Sequence, residues 1–313
     1  MEKIMSKIKD LKENVRDTIV CVVTECTKGI TNSHNSYLNL VLQDNSGKID
    51  AKKWDATEKD MEALKVGHVL SLLVDPIIYK GQMQLKIIDF DELKGPVDQK
   101  ELIIHPPVST EELEKELNHF ILEIEDVEIR TIVTEILGQY YDQFLYHPAA
   151  KSNHHEYASG LLHHEVSMLK LAKAIVCLYP TIQKDYLYGG IILHDLGKIK
   201  ELSGPITTEY TTKGKLLGHI SIIQTDIVEA AKKHQINEDK ALLLQHMVLA
   251  HHGKYEYGSP VLPHTLEAEV LYLIDNMDSR IHMIIKALNN VEKNSFTNKI
   301  PALEGRSFYK YDE

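Results

Sequence analysis

One octapeptide, Ile191-Ile192-Leu193-His194-Asp195-Leu196-Gly197-Lys198, sets a histidine and an aspartate side by side after an apolar run. An imidazole and a carboxylate at adjacent positions can ligate the same metal ion. Asp195 has a second oxygen that could bridge to another ion, which would give a two-metal centre of the kind used in phosphoryl hydrolysis. Lys198 shares a helix face with this pair, so its ammonium could hold a substrate phosphate.

Further metal-ligating side chains follow along about half of the chain. They are His164, His219, His251, His252 and Asp275, within the elements Leu161-Leu162-His163-His164, Gly218-His219, His251-His252-Gly253 and Leu273-Ile274-Asp275. An isolated histidine on an apolar helix is more often a packing residue than a ligand, and we expect this of His163. Separate elements in one order favour a metal site, because chance would have to supply each independently. Asp278 either supports a ligand or lies on a solvated face.

This half of the chain resembles the HD metal-dependent phosphohydrolase superfamily, which has an all-helical fold. The resemblance implies that the ordered ligands H…HD…D fall on His164, His194, Asp195 and Asp275. It also implies that the histidines used for a second ion fall on His219, His251 and His252. Asp195, as the bridge, and Lys198, as the phosphate ligand, are the catalytic candidates.

Residues 1–92 have the pattern of a small all-β barrel. Alternating apolar and polar segments at 18–24, 37–42, 48–54, 69–74 and 82–88 are separated by turn signals. Asp44-Asn45-Ser46-Gly47 predicts a hairpin turn, and a helical patch at 57–64 separates the third and fourth segments. Five strands with a helix at that place predict an OB-type barrel.

The predicted fold class is therefore a two-domain chain, a small all-β OB-type barrel followed by an all-α HD-superfamily domain. We expect the barrel at 1–92, a linker rich in proline at 93–110, the helical domain at 111–300 and a C-terminal tail at 301–313. Ser109 with Glu112 predicts a helix start after the linker. A β-branched segment at 204–214 predicts a hairpin or ordered loop within the helical part.

A polar segment precedes the helix of His164. It reads Pro148-Ala149-Ala150-Lys151-Ser152-Asn153-His154-His155. Loops beside a metal centre often bind substrate, so Lys151, Asn153, His154 and His155 are substrate-binding candidates. Joined to an OB-type barrel and the Gly-His element, this segment resembles the YhaM family of bacterial 3′-to-5′ exoribonucleases over nearly the whole chain.

The resemblance implies a metal-dependent 3′-to-5′ exoribonuclease that acts in RNA degradation and releases nucleoside 5′-monophosphates. It implies manganese as the favoured ion, and we expect two ions. The residues alone leave iron, cobalt and magnesium open, since histidine and carboxylate ligands suit all of these metals. Only three cysteines occur and none forms a CxxC pair, which argues against a thiolate zinc site.

The barrel offers candidates for binding a single strand. OB barrels stack bases on aromatic rings while cations follow the phosphate backbone. Tyr37, Trp54 and Tyr79 are the aromatic candidates and Lys53 is a cationic one, with Lys52 beside it. Whether Trp54 is a core residue or a stacking platform stays open at this stage.

Charge does not steer this chain toward nucleic acid, because the formal net charge is −11. The excess of acids lies beyond residue 100, where 20 basic residues face 30 acidic ones; residues 1–100 have 15 and 16. We expect single-stranded RNA as the partner, bound through shape and stacking, and no membrane; single-stranded DNA and a homo-oligomer stay open. The N-terminus lacks the features of a signal peptide, so we expect the cytoplasm.

Two other functions stay open from the residues alone. The first is an HD-type nucleotide phosphohydrolase, for which the metal ligands fit equally well but the barrel has no evident task. The second is a protein that binds single strands or DNA and whose HD centre is regulatory. Intact ligands weigh against the second alternative.

Overall fold

The computed structural model describes residues 6–31, 35–79, 81–93, 101–104, 108–149, 157–204 and 208–312. These residues divide into two compact units. One comprises residues 6–104 with Thr208, and the other comprises residues 108–204 and 209–312.

The first unit is a closed five-stranded barrel. Its strands are β1 (Asp17–Ile30), β2 (Ser36–Asp44), β3 (Gly47–Lys53), β4 (Val69–Tyr79) and β5 (Gln82–Glu92), with helix α1 (Glu58–Ala63) between β3 and β4. The order around the barrel is β1-β2-β3-β5-β4, closed by antiparallel pairing of β1 with β4. The β3–β5 pair alone is parallel among the described strands. This is the Greek-key layout of an OB barrel, so the predicted fold of this part is confirmed.

Alternation and turn chemistry explain the barrel. Along β4, Leu70, Leu72 and Val74 point inward and are fully buried, while the residues between them are half-buried. At the predicted hairpin turn, the Asp44 carboxylate accepts a hydrogen bond from the backbone N–H of Ser46 at 2.7 Å, a turn typical of Asp.

Part of the predicted linker packs on the barrel. Leu102 is buried, and its carbonyl accepts a hydrogen bond of 2.8 Å from the side-chain amide of Gln43. The backbone N–H of Asn45 donates to the carbonyl of Glu101 at 3.0 Å. The prolines and the glycine of segment 93–110 predict a linker throughout, but these contacts attach Glu101 and Leu102 to the barrel.

The second unit is helical. Its helices are α2 (Thr110–Glu123), α3 (Val127–Phe144), α4 (Gly160–Leu178), α5 (Lys184–His194), α6 (Lys198–Glu201), α7 (Thr212–Lys233), α8 (Glu238–Ala250) and α9 (Leu266–Asn289). Ser109 caps α2 as predicted, since its hydroxyl accepts from the N–H of Glu112. Every residue of α5 from Leu187 to His194 is buried, as expected for a helix that is apolar on all sides. The end of α5 therefore lies deep in this unit.

Two irregular segments complete the helical unit. In the predicted β-segment at 204–214, Tyr210 pairs with Leu202 in a single antiparallel bridge and α7 already begins at Thr212. The C-terminal segment is folded. Its strand β6 (Ser295–Phe296) pairs with β7 (Tyr309–Lys310), and Leu303 is fully buried.

Candidate metal centre and nucleic-acid surface

Five helices bring together all seven predicted ligands. The ligands are His164 on α4, His194 and Asp195 at the end of α5, His219 on α7, His251 and His252 at the end of α8, and Asp275 on α9. They form three overlapping groups whose ligand atoms lie within 4.8 Å of one another: His164, His194 and Asp195; His194, His251 and Asp275; His219, His251 and His252. Most of these side chains are buried. Buried ionisable side chains are expected to pair with one another or to bind a metal ion.

Asp195 directs its two oxygens at two different sets of imidazoles. Its Oδ2 lies 3.3 Å from His194 Nε2 and 3.9 Å from His164 Nε2. Its Oδ1 lies 3.6 Å from His219 Nε2 and 3.8 Å from His251 Nε2. A carboxylate that bridges two ions needs this arrangement.

Hydrogen bonds to backbone carbonyls fix two of the imidazole rings. The Nδ1 of His194 is 2.6 Å from the carbonyl of Ile191, and the Nδ1 of His251 is 2.7 Å from that of Val248. A carbonyl only accepts, so each Nδ1 must be the donor, and in the neutral ring the lone pair then lies on Nε2. Both Nε2 atoms are buried and hydrogen-bond to none of the described residues. These rings are oriented as metal ligands are.

Carboxylates orient two more rings. Asp278 Oδ2 lies 2.7 Å from Nδ1 of His164, and Glu201 Oε2 lies 3.0 Å from Nδ1 of His219. Asp278 is buried, so it is a supporting residue and does not lie on a solvated face. Sequence reasoning missed Glu201 altogether, because only the fold brings it to a histidine 18 residues away.

A break in α7 explains how Glu201 reaches His219. Gly218 has φ 70° and ψ 155°, which interrupts the helix in a region that glycine adopts without strain. At this break Glu201 Oε1 accepts a hydrogen bond of 3.1 Å from the backbone N–H of His219. One carboxylate thus holds both the backbone and the ring of this candidate ligand.

The charges of the centre suit a divalent cation. Burial raises the pKa of Asp195, but the Lys198 ammonium at 2.7 Å and the imidazoles of His194 and His219 together outweigh burial, and the pKa lies well below its usual value. Burial likewise opposes ionisation of Asp275, but the His164 imidazole, whose Nε2 lies 3.3 Å from Asp275 Oδ1, lowers its pKa. Burial lowers the pKa of both His251 and His252, which keeps these rings in the neutral, ligating form.

His164 shows how strongly the centre attracts positive charge. Burial would lower its pKa, yet the carboxylates of Asp275 and Asp278 raise it to about 10. The negative charge that holds a proton there would equally draw a metal ion. The donor set of imidazoles and ionised carboxylates therefore fits divalent metal binding.

A cavity of about 310 Å³ opens beside the centre. Asp195, Lys198, His252 and Asp275 line one end of it. The rest of its wall consists of Tyr257, Tyr272, Asn276, Ser279, Arg280, Met283 and Ala302. The centre is thus accessible to a small ligand or to the end of a chain.

The barrel presents an aromatic pair at its surface. The rings of Tyr37 and Trp54 lie 5.1 Å apart, and Lys52 Nζ lies 5.3 and 5.2 Å from their centroids. Trp54 is 40% exposed, so it is not a core residue. Lys53 points elsewhere, since its ammonium donates to the carbonyl of Ile88 at 3.0 Å. We call Tyr37, Lys52 and Trp54 the barrel platform; Tyr79 is exposed at the end of β4.

Gly29 makes room for the platform. It lies directly opposite Tyr37 in the β1–β2 pair. A Cβ atom at Gly29 would come within 2.3 Å of Tyr37 Cζ, so the tyrosine ring covers the bare backbone of β1. Any larger residue would force the ring to move.

The remaining substrate-binding candidates, Lys151, Asn153, His154 and His155, lie outside the described residues. His163, which the sequence assigned to packing, hydrogen-bonds through its Nδ1 with the hydroxyl of Tyr157 at 2.6 Å.

Comparison with known proteins places the chain in a family. The family model described as HD domain matches residues 161–280, a range that holds all seven candidate ligands. The 3'-5' exoribonuclease YhaM of Bacillus subtilis (strain 168) is 42% identical over 295 residues, which cover 92% of this chain and 93% of the relative. The chain belongs to the YhaM family. The 3'-5' exoribonuclease YhaM of Shouchella clausii is 43% identical to this chain over 291 residues, which cover 92% of this chain and 91% of that protein.

Family membership confirms the resemblance predicted from the sequence, and the HD match confirms the predicted class of the helical unit. Among solved structures, the second OB-fold domain of replication protein A from Methanococcus maripaludis matches 30% of this chain and 100% of that chain, at 16% identity and a TM-score of 0.25. The OB-type fold of this YhaM-family barrel follows from its strand order. Within the described part of the chain, no helix is both long and apolar enough to cross a membrane.

Proposed function

We propose that this protein is a metal-dependent 3′-to-5′ exoribonuclease that releases nucleoside 5′-monophosphates. One observation carries the proposal: all seven candidate ligands are adjacent in a chain that matches a 3'-5' exoribonuclease YhaM over 92% of its length. The nucleotide phosphohydrolase and the binding protein have no comparable support.

The oxygens of Asp195 divide the proposed ligands into two sets. His164, His194, Asp195 and Asp275 would hold one ion, and Asp195, His219, His251 and His252 would hold the other. We propose manganese for both. When bound, such ions supply Lewis acidity that activates water and neutralises phosphate charge.

Lys198 has its own task in this proposal. Its ammonium lies 2.7 Å from Asp195 Oδ2 and lines the cavity. Burial opposes its charge, but the carboxylates of Asp195, Asp275 and Glu201 together outweigh burial and raise its pKa, so Lys198 stays protonated. From this position Nζ donates to a non-bridging oxygen of the phosphodiester and stabilises the charge that develops as the bond breaks.

The barrel platform has the composition of a single-strand surface. Exposed aromatic rings accept any base by stacking, and an adjacent ammonium pairs with the backbone phosphate. We propose that Tyr37, Trp54 and Lys52 hold the RNA, and that Tyr79 extends this surface. Lys151, Asn153, His154 and His155 stay in the proposal as substrate contacts on the strength of the sequence alone.

The test uses one RNA labelled at either end, incubated with manganese. The wild type should shorten the 5′-labelled strand in single steps and release the 3′ label at once as a nucleoside 5′-monophosphate. Asp195→Ala should do neither, whereas Asp142→Ala, an exposed acid on α3, should behave as the wild type. Equal degradation by wild type and Asp195→Ala would contradict the proposal.

Two further measurements separate the alternatives. Faster hydrolysis of free nucleotides than of oligonucleotides would indicate a nucleotide phosphohydrolase. Retention of RNA in a gel-shift assay after chelation, without turnover under any metal, would indicate a binding protein.

A further inference from the structure

The wall of the cavity beside the metal centre runs along one face of α9. Asn276, Ser279 and Met283 are spaced by three and four residues, so they line the same face, and Asp275 precedes Asn276 directly. At 1.5 Å per residue, Ser279 lies about 6 Å and Met283 about 12 Å along the helix axis from Asp275. We call the wall formed by Tyr257, Tyr272, Asn276, Ser279, Arg280 and Met283 the α9 cleft.

The lining of the cleft combines three kinds of side chain. Asp195, Lys198 and Asp275 stand where a phosphodiester would be attacked. Asn276 and Ser279 supply amide and hydroxyl groups of the type that bond sugar hydroxyls. Tyr257, Tyr272, Met283 and Ala302 supply aromatic and apolar surface. The lining thus offers contacts for the phosphate, the sugar and the base of one nucleotide.

The size and charge of the cleft favour one nucleoside over a longer phosphate chain. Its volume of about 310 Å³ lies at the small end of the range for ligand pockets. Arg280 does not offer a bare cation, because its Nη1 and Nη2 donate to the Glu304 carboxylate at 3.0 and 2.9 Å. Among the described residues that line the cavity, Lys198 is therefore the cation placed to contact a phosphate. This argues against a polyphosphate in the cleft.

Tyr257 offers the cleft an aromatic face. It ends the short 3₁₀ helix Tyr255–Tyr257, it is 48% exposed, and Lys254 Nζ lies 5.4 Å from its ring centroid. Tyr255 in the same turn is 64% exposed, but it is not among the described residues that line the cavity. Base stacking on an exposed ring tolerates every base, which suits an enzyme that removes nucleotides in succession.

We propose that the α9 cleft receives the 3′-terminal nucleotide of the RNA, with its base packed against Tyr257. This inference rests on the proposed exoribonuclease function and assigns the position of the leaving nucleotide. The phosphodiester on its 5′ side then lies at Asp195 and Lys198, so a single nucleoside 5′-monophosphate leaves in each step.

The test compares two RNAs that differ only at the last residue, which in one has hydrogen in place of the base. Release of the first nucleotide is timed with enzyme in excess. The wild type should release the abasic residue roughly 5- to 150-fold more slowly, the range for stacking one base on one aromatic ring. Release of the second nucleotide, which carries a base in both RNAs, should be equally fast.

Matched variants then identify the ring. Tyr257→Ala should slow the normal RNA by about the same factor and show no further loss with the abasic end. Tyr257→Phe keeps the ring and should behave as the wild type, as should Tyr255→Ala. We call the factor by which the missing base slows release of the first nucleotide the abasic penalty. Loss of this penalty in a variant cannot arise from a folding defect, because misfolding slows both RNAs alike.

The inference fails if Tyr257→Ala retains the full abasic penalty, or if the wild type shows none. Failure of the proposed function is distinguishable from this outcome. In that case the wild type would release no nucleotide from either RNA, and both proposals would fall together.

Discussion

The metal centre and the barrel platform hold their side chains in different ways. In the centre, His194 and His251 are buried and each ring is fixed by a hydrogen bond to a carbonyl in its own helix. On the platform, Tyr37 and Trp54 lie at the surface and contact each other and Lys52. Rigid polar contacts suit groups that must meet a reacting phosphate within fractions of an ångström. Ring faces suit a surface that must accept many bases.

The variant Asp195→Asn tests whether the metal centre and the barrel platform have separate tasks, and we expect the largest effect from it. We expect kcat for RNA to fall by about 10³-fold or more, because loss of the proposed bridging carboxylate would remove several kcal/mol of stabilisation from the reaction. RNA affinity, measured by fluorescence anisotropy in a chelator, should change little. Asp142→Asn is the control. If Asp195→Asn weakened RNA binding as strongly as it slowed turnover, the two regions would not have separate tasks.

Asp278 tests whether the rings of the centre depend on their partners. Asp278→Ala removes the acceptor for His164 Nδ1, so we expect the manganese concentration for half-maximal activity to rise about 10- to 100-fold. Asp278→Asn should restore part of the loss, since an amide oxygen still accepts. Glu269→Ala, an exposed carboxylate on the same helix, should leave metal activation unchanged. Metal content of the purified variants gives a second readout, and unchanged content and activation in Asp278→Ala would refute the role.

Trp54→Ala tests the platform. The Kd for single-stranded RNA should rise about tenfold, within the range for one stacked base, while kcat at saturating RNA stays unchanged. Trp54→Phe should recover most of the affinity. Val66→Ala removes another exposed apolar side chain of the barrel and serves as the control. An unchanged Kd in Trp54→Ala would remove the platform from the proposal.

Lys52→Gln should have the smallest effect. Loss of an exposed cation beside two rings should weaken RNA binding by about two- to fivefold. The slope of log Kd against log salt should fall by about 0.7, as for one phosphate contact on a single strand. Lys65→Gln, on the exposed surface of the same barrel, should change neither quantity. Lys53→Gln should change thermal stability rather than the slope, because its ammonium bonds to Ile88.

The sequence predicted which residues the fold brings together in the centre, because they are chemically distinctive residues in a fixed order. It could not predict Glu201, whose partner is 18 residues away across the break at Gly218, or the role of Asp278, which meets His164 across 114 residues. Both contacts depend on how helices pack, and no local pattern encodes that.

The sequence alone could have predicted that Lys52, and not Lys53, belongs to the barrel platform. Neighbouring residues on a strand point to opposite faces, and Lys52, two residues before Trp54, shares its face whereas Lys53 does not. The fold of the barrel followed from alternation in the same way. Tyr257 carried no such signal, since its place beside the centre depends on a turn that follows α8 and on the tail that docks near it.

The carbonyl contacts of His194 and His251 have a consequence for the design of knockouts. Each ring nitrogen satisfies a carbonyl in the last turn of its helix, a group that would otherwise lack a partner in the core. Replacing either histidine by alanine would leave that acceptor buried and unpaired, at a cost of about 1–3 kcal/mol. Such a variant should melt at a lower temperature even in EDTA, and its amide protons at the helix end should exchange faster. Asp275, whose side chain closes no helix end, is the cleaner position for removing the metal without loosening the scaffold.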